Sequence, residues 1–210
     1  MKKVVTDPQK VTRILQAATD AFGQLGFAKT KTDQIAATAG VSKGLIFHYF
    51  GNKQALYLDT FKTAYQRIYA HMDPHHWQDA PGLAAMMSAA VKYEMKLQLA
   101  FPAEYRLMMQ AYADLPHFPQ PLQQQIQQET QAISVEANRI FREKIEQLPR
   151  RQGISVDDIF SVVSALIAQQ TAVTTQLIAT GKYRNFEDLQ AVVDQMNRQL
   201  KIVEHGFLPD

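Results

Sequence analysis

Apolar residues in this chain recur every three or four positions almost from end to end, and no convincing run alternates them with polar ones as a half-buried strand requires. Such a chain can bury its apolar side chains only by packing helices against helices, so the fold is expected to be all α. The boundaries follow from caps and breakers. Asp7 and Pro8 form a cap and first-turn pair, after which Ile14, Ala17, Ala18, Ala21, Phe22 and Leu25 make one stripe that ends at Gly26. Thr32 is read as the cap of a short second helix through Ala39, stopped by Gly40. Ser42 caps a very short third helix, and Asn52 opens a long fourth carrying Leu56, Phe61, Ala64, Tyr65 and Ile68.

Beyond a polar, proline-containing break from Asp73 to Pro81, helical stretches are predicted from Leu83 to Phe101 and from Ala103 to Ala113, with Pro102 at a first-turn position. Pro116, Pro119 and Pro121 mark a second break. Seven glutamines crowd positions 120–131, yet Leu122, Ile126, Ile133, Ala137, Ile140 and Phe141 keep a helical stripe through and past them, so a long helix with a glutamine-rich solvated face is expected. Ser155 with Asp158 begins a run, apolar on nearly every side, that reaches Gly181. Asn185 begins the last, amphipathic helix, with Leu189, Val192, Val193, Met196, Leu200 and Val203. Helices 155–181 and 185–205 are therefore expected to face both their own core and a second copy of the chain, as a homodimer.

Composition narrows the function. No stretch approaches the roughly 20 apolar residues that cross a bilayer, and Met1-Lys2-Lys3 is not followed by a signal-peptide core. A cytoplasmic protein with no membrane partner is expected. The absence of cysteine excludes disulfides, thiolate zinc sites and cysteine nucleophiles. Residues 1–53 carry eight Lys/Arg against three Asp, a balance of +5, leaving −3 for the rest of a chain of net charge +2. A polyanion-binding head on a mildly acidic body has that asymmetry, because lysine and arginine near phosphates gain affinity by releasing counterions.

The window from Thr32 to Phe50, TDQIAATAGVSKGLIFHYF, fits two short helices packed through Ile35, Ala39, Val41 and Ile46, with Ala36 where they cross and Gly40 at a left-handed turn. A DNA-reading helix-turn-helix and a plain helical hairpin both satisfy this pattern. The longer stretch Phe22 to Leu56, FGQLGFAKTKTDQIAATAGVSKGLIFHYFGNKQAL, resembles the N-terminal signature of the tetracycline-repressor (TetR) family. The resemblance covers about a sixth of the chain and lies in IAxxAGVSKG, the aromatic residues closing the third helix, and Asn-Lys-x-x-Leu opening the fourth. It implies a helix-turn-helix DNA-binding domain at 1–53 and a helical ligand-binding and dimerisation domain at 54–210.

It also implies roles for residues. The third helix would enter the major groove with Ser42, Lys43, Gly44 and Leu45 at its start and His48 and Tyr49 further along, while Thr32 and Lys53 hold phosphates. Many family members have tyrosine where this chain has Phe47, which brings no hydroxyl to a phosphate. Lys2, Lys3 and Lys10 form a candidate arm, with a solvated tail as the other reading. The resemblance implies a regulator, usually a repressor, that binds a palindromic operator in double-stranded DNA as a homodimer and is released by a small molecule. Phe61, Tyr65, Met86, Tyr93, Phe101, Tyr105, Met109 and Gln170 are candidate ligand contacts, the apolar ones because methionine and aromatic rings make adaptable walls.

Other chemistries find little support. His71, His75 and His76 with Asp73 and Asp79 are ligand types, but their spacing is not that of two ligands on one helical face, and Pro74 sets them in a loop. No metal, no other cofactor and no catalytic residues are expected, since glycine loops for phosphates, nucleophile elbows and Glu-x-x-His pairs are all missing. The rival from another class is a helical ligand-binding or scaffolding dimer whose DNA head is non-functional, which Phe47 and the modest basicity favour.

Overall fold

The computed structural model describes residues 7–73, 75–180 and 187–207, and among them every regular element is a helix. The helices are α1 (Pro8–Lys29), α2 (Thr32–Ala39), α3 (Lys43–Phe50), α4 (Lys53–Tyr69), α5 (His75–Gln78), α6 (Leu83–Ala100), α7 (Pro102–Asp114), α8 (Gln120–Gln147), α9 (Val156–Ala179) and α10 (Gln190–Phe207). Two single turns of 3-10 helix, Leu115–His117 and Glu187–Leu189, precede α8 and α10.

Four of the predicted caps are in place. Asp7 accepts the N–H groups of Gln9 and Lys10, Ser42 Oγ that of Leu45, and Asn52 Oδ1 that of Ala55. Ser155 Oγ and the Asp158 carboxylate cap each other's backbone N–H groups at the start of α9. Three boundaries differ from the sequence reading. The second helix does start at Thr32, but Thr32 is already helical and 8% exposed, and the cap position belongs to Lys31, whose extended backbone donates to the Gln34 side chain. The stretch 73–81 contains the short helix α5, which presents Trp77 to an apolar cluster. Helical bonding of α1 runs on to Lys29 through a break at Gly26 (φ 75°, ψ 171°), and Leu25, in the predicted stripe, is turned out to 43% exposure.

The chain divides into two compact units, Met1–His71 with Phe101–Glu129, and Met72–Ala100 with Thr130–Asp210. The core of the first is assembled from Ile14, Ala18 and Phe22 of α1, Ile35 and Ala36 of α2, Ile46 of α3, Leu56, Tyr57 and Phe61 of α4, and Leu107 of α7. Gly23 makes the α1–α7 crossing close, since a Cβ there would meet the Leu107 nitrogen at 3.1 Å. The second core gathers Leu83 and Met86 of α6, Ile140 and Ile145 of α8, Ile159 and Val163 of α9, and Leu200 of α10. Within it the Glu204 carboxylate of α10 accepts the first N–H groups of α6, those of Leu83 and Ala84. Val162 (54%), Val173 (40%) and Ile202 (71%) stand exposed on α9 and α10 of the single chain. The predicted cap Asn185 and the helix end at Gly181 lie outside the described residues, as do Lys2 and Lys3.

Candidate nucleic-acid interface

The geometry of α2 and α3 is set by their turn. Gly40 takes a left-handed conformation (φ 65°, ψ 41°), its N–H and that of Val41 satisfy the last carbonyls of α2, and Ser42 restarts the chain as the cap of α3. Eight residues then make a helix that fully buries just one side chain, Ile46 at 1% exposure. Ser42, Lys43, Gly44, Phe47 and His48 are all exposed, and Leu45 is half-buried. Such an apolar helix holding so little of itself inside leaves a surface that the rest of the chain does not use.

Each predicted DNA contact has a definite setting. The Lys43 ammonium pairs with Asp33 of α2 at 2.9 Å, both side chains half in solvent, so the pair is worth little to stability and can be exchanged for a phosphate or a base edge. A Cβ on Gly44 would meet nothing nearer than Ser42 Oγ at 3.9 Å, so the fold has no need of glycine there. Lys53, at the first turn of α4, donates to the Ala28 carbonyl at 3.3 Å and lies 4.7 Å from the centre of the Phe27 ring. Partial burial pushes its ammonium pKa down. Tyr49 is half-buried, and its hydroxyl accepts the Asp7 N–H at 3.2 Å, which ties α3 to the start of α1. His48 stands beside it, ring centres 5.8 Å apart. Thr32 is buried at the head of α2, Lys10 pairs with Asp7 at 3.6 Å, and Phe47 is 37% exposed.

Sequence reasoning missed the turn that carries Lys53. The Thr30 side chain, 2% exposed, sits within reach of the Gly26 carbonyl at 2.7 Å and the Ala21 carbonyl at 3.1 Å, closing the break in α1. Lys31 and Gln34, both exposed at the start of α2, were overlooked too; their signal was the capping spacing itself.

The candidate ligand contacts fall in both units. In the first, Phe61 stacks on Tyr65 at 5.6 Å, Phe101 lies between the His71 ring and the Arg67 guanidinium, and Tyr105 and Met109 are buried on α7. In the second, Met86 is buried, Tyr93 packs against His76 and Trp77, and Gln170 donates to Gln199 of α10 at 2.8 Å. That partner answers the need for one that a polar group inside the most apolar helix creates. Glu94 of α6 was not singled out, yet burial pushes its carboxyl up to about 7. A cleft of about 140 Å³ opens between α1, α4 and α7 beside the Arg67–Glu104 ion pair. None of the predicted ligand residues lines it, and it is well below the roughly 300 Å³ of a small-molecule site. Among the described residues no group of three or more His, Asp or Glu converges as a metal site, and no helix is long and apolar enough to cross a membrane.

A helix-turn-helix whose second helix is turned outward, on an otherwise all-helical chain, is an arrangement that can present a helix to a DNA major groove. Residues 14–60 match the model of the tetR family of bacterial regulatory proteins, so the head of this chain is similar to the N-terminal domain of that family. It is 35% identical over 96 residues to the transcriptional regulator RutR of Escherichia coli K12, a match covering 46% of this chain and 42% of that one. With the regulator HbdR of Aromatoleum it shares 44% over 67 residues, 30% of this chain and 29% of the relative. The chain thus spans under half the length of these curated relatives. The fold extends further: a TetR-family regulator from Agrobacterium tumefaciens superposes with a TM-score of 0.65 at 14% identity, covering 92% of this chain and 99% of that one. FadR of Bacillus subtilis, solved in complex with stearoyl-CoA, does so at 0.59 and 19%, covering 91% and 96%.

Proposed function

We propose that this protein is a ligand-responsive transcriptional repressor, with residues 1–53 as its DNA-binding head and 54–210 as its ligand-binding and dimerising body. The observation that carries the reading is the outer face of α3, where Ser42, Lys43, Gly44 and His48 are exposed on a helix whose single fully buried side chain is Ile46. Lys43 donates to guanine O6 and N7, Gly44 admits close backbone approach, and Lys53 and Thr32 meet phosphates at the starts of α4 and α2. Two copies joined through 155–181 and 185–205 read a palindrome in successive major grooves, about 34 Å apart. The exposed Val162, Val173 and Ile202 support that seam.

An apolar small molecule bound in the body, against some of Phe61, Tyr65, Met86, Tyr93, Phe101, Tyr105, Met109 and Gln170, shifts α4 and so the spacing of the heads. It acts by binding the released state more tightly, since equal affinity for both states shifts nothing. The stearoyl-CoA complex of FadR is the reason to begin a ligand screen with acyl compounds. The test is binding of the purified protein to the intergenic DNA beside its own gene at two salt concentrations, with Lys43→Ala and Lys53→Ala alongside. Saturable binding that falls steeply with salt and weakens in both variants is expected. Salt-insensitive absence of binding, there and to a random-sequence pool, supports instead the ligand-binding or scaffolding dimer with a silent head.

A further inference from the structure

Gly26 breaks α1 at a positive φ, and the space where its side chain would stand is filled from α7: a Cβ there would meet Asp114 Oδ2 at 2.8 Å and Gln110 Nε2 at 2.9 Å. The same Asp114 oxygen accepts the Phe27 N–H at 2.7 Å, a bond between residues 87 apart in the chain. Gln110, one helical turn earlier, donates to the other carboxylate oxygen at 3.0 Å and so fixes its orientation. A carboxylate receiving a backbone N–H at this distance makes one of the stronger kinds of hydrogen bond. The turn it holds is the platform of Lys53, whose ammonium lies over the Phe27 ring and donates to the Ala28 carbonyl. Phe27 is in turn set by the Phe22, Tyr57 and Phe118 rings around it.

We propose that Asp114 is a positioning residue for DNA binding: from α7 it clamps the Gly26–Phe27 turn and thereby aims the Lys53 ammonium at a phosphate. The inference rests on the DNA-binding reading above and deepens it, since it names the contact through which α7 acts on the head. Asp114 lies beside the turn and Lys53 beyond it, so the carboxylate acts through Phe27 and Ala28 and does not itself approach the phosphate. Any displacement of the end of α7 then reaches the head as a loosened turn and a misdirected lysine.

The test uses the full-length protein and a duplex that the wild type selects from a random-sequence pool, titrated across salt, with Lys53→Ala, Asp114→Ala, Asp114→Asn and the double Lys53→Ala/Asp114→Ala. Asp114→Ala is expected to weaken binding and to lower the salt slope by about 0.9, one phosphate's worth, as Lys53→Ala does. The double variant should be no weaker than Lys53→Ala, because both remove the same contact. Asp114→Asn keeps an acceptor for the Phe27 N–H and should retain most of the binding. Amide hydrogen exchange without DNA should speed up at Phe27 in Asp114→Ala. If that variant is unstable, Gln110→Ala, which frees the carboxylate's orientation, should give the same pattern more weakly. An unchanged salt slope, or losses that add in the double variant, overturns the role of Asp114 while leaving the DNA-binding reading intact. A wild type that selects no duplex overturns that reading, and this inference with it.

Discussion

The outer face of α3 and the seam between α1 and α7 are both rich in glycine and polar side chains, but they use them in opposite ways. In the seam each such group has a reason within the chain: Gly23 admits the backbone of Leu107, Gly26 admits Asp114, and Thr30 closes the break in α1. On α3 the reasons are missing. Gly44 has open space around it and an ordinary helical backbone, His48 and Phe47 are exposed, and Lys43 is held by one exposed partner. Groups with an internal purpose serve the fold, and groups without one are available to something outside it. Substitution should therefore cost stability in the seam and DNA affinity on α3, and each variant below tests that division.

The largest effect is expected at Gly26. Its φ of 75° with ψ of 171° lies in a region almost restricted to glycine, so Gly26→Ala should lower the unfolding free energy by about 2–3 kcal/mol, read from a denaturant midpoint. On the other side, Lys43→Ala should weaken DNA binding by about 1–3 kcal/mol. Its stability should change by less than about 0.5 kcal/mol, because the ion pair with Asp33 is exposed. A drop in thermal midpoint to match the loss of binding would move Lys43 to the structural side. Tyr57 tests the interior from the opposite direction: its hydroxyl is buried with no hydrogen-bond partner among the described residues. Tyr57→Phe should then raise stability by about 1 kcal/mol and leave DNA affinity unchanged. The smallest shift is predicted for Gly44→Ala in the first turn of α3, a gain in stability of at most about 0.5 kcal/mol, below that for a glycine in a helix interior. Weaker DNA binding should accompany that gain, a pairing that no structural role for Gly44 would produce.

Much of the first region could be read in the sequence, and little of the second. Caps and stops are local chemistry, so Asp7, Gly40, Ser42, Asn52 and the Ser155–Asp158 pair announce themselves within four residues of the backbone they satisfy. The seam is not local. The acceptor for Phe27 is 87 residues downstream, and three-four periodicity says which face of a helix is buried but not which helix covers it. The same gap explains Thr32, read as the cap of the second helix and found buried one position inside it. It explains Tyr49 as well, grouped by resemblance with the DNA contacts and found with its hydroxyl engaged by the start of α1. The short helix α5 was hidden by a polar, proline-marked stretch in which Trp77 was the one strong apolar signal.

Hydrogen exchange of the full-length protein, with and without the duplex it selects, tests the division of α3 from the seam most directly. Added DNA should slow exchange at the start of α3, from Ser42 to Ile46, and around the turn from Ala28 to Lys31 and Lys53, while the α7 side of the seam, already protected, changes little. Slowing that skips α3 and appears elsewhere in the chain would contradict the account, because the exposed face of α3 would then not be the surface that meets DNA.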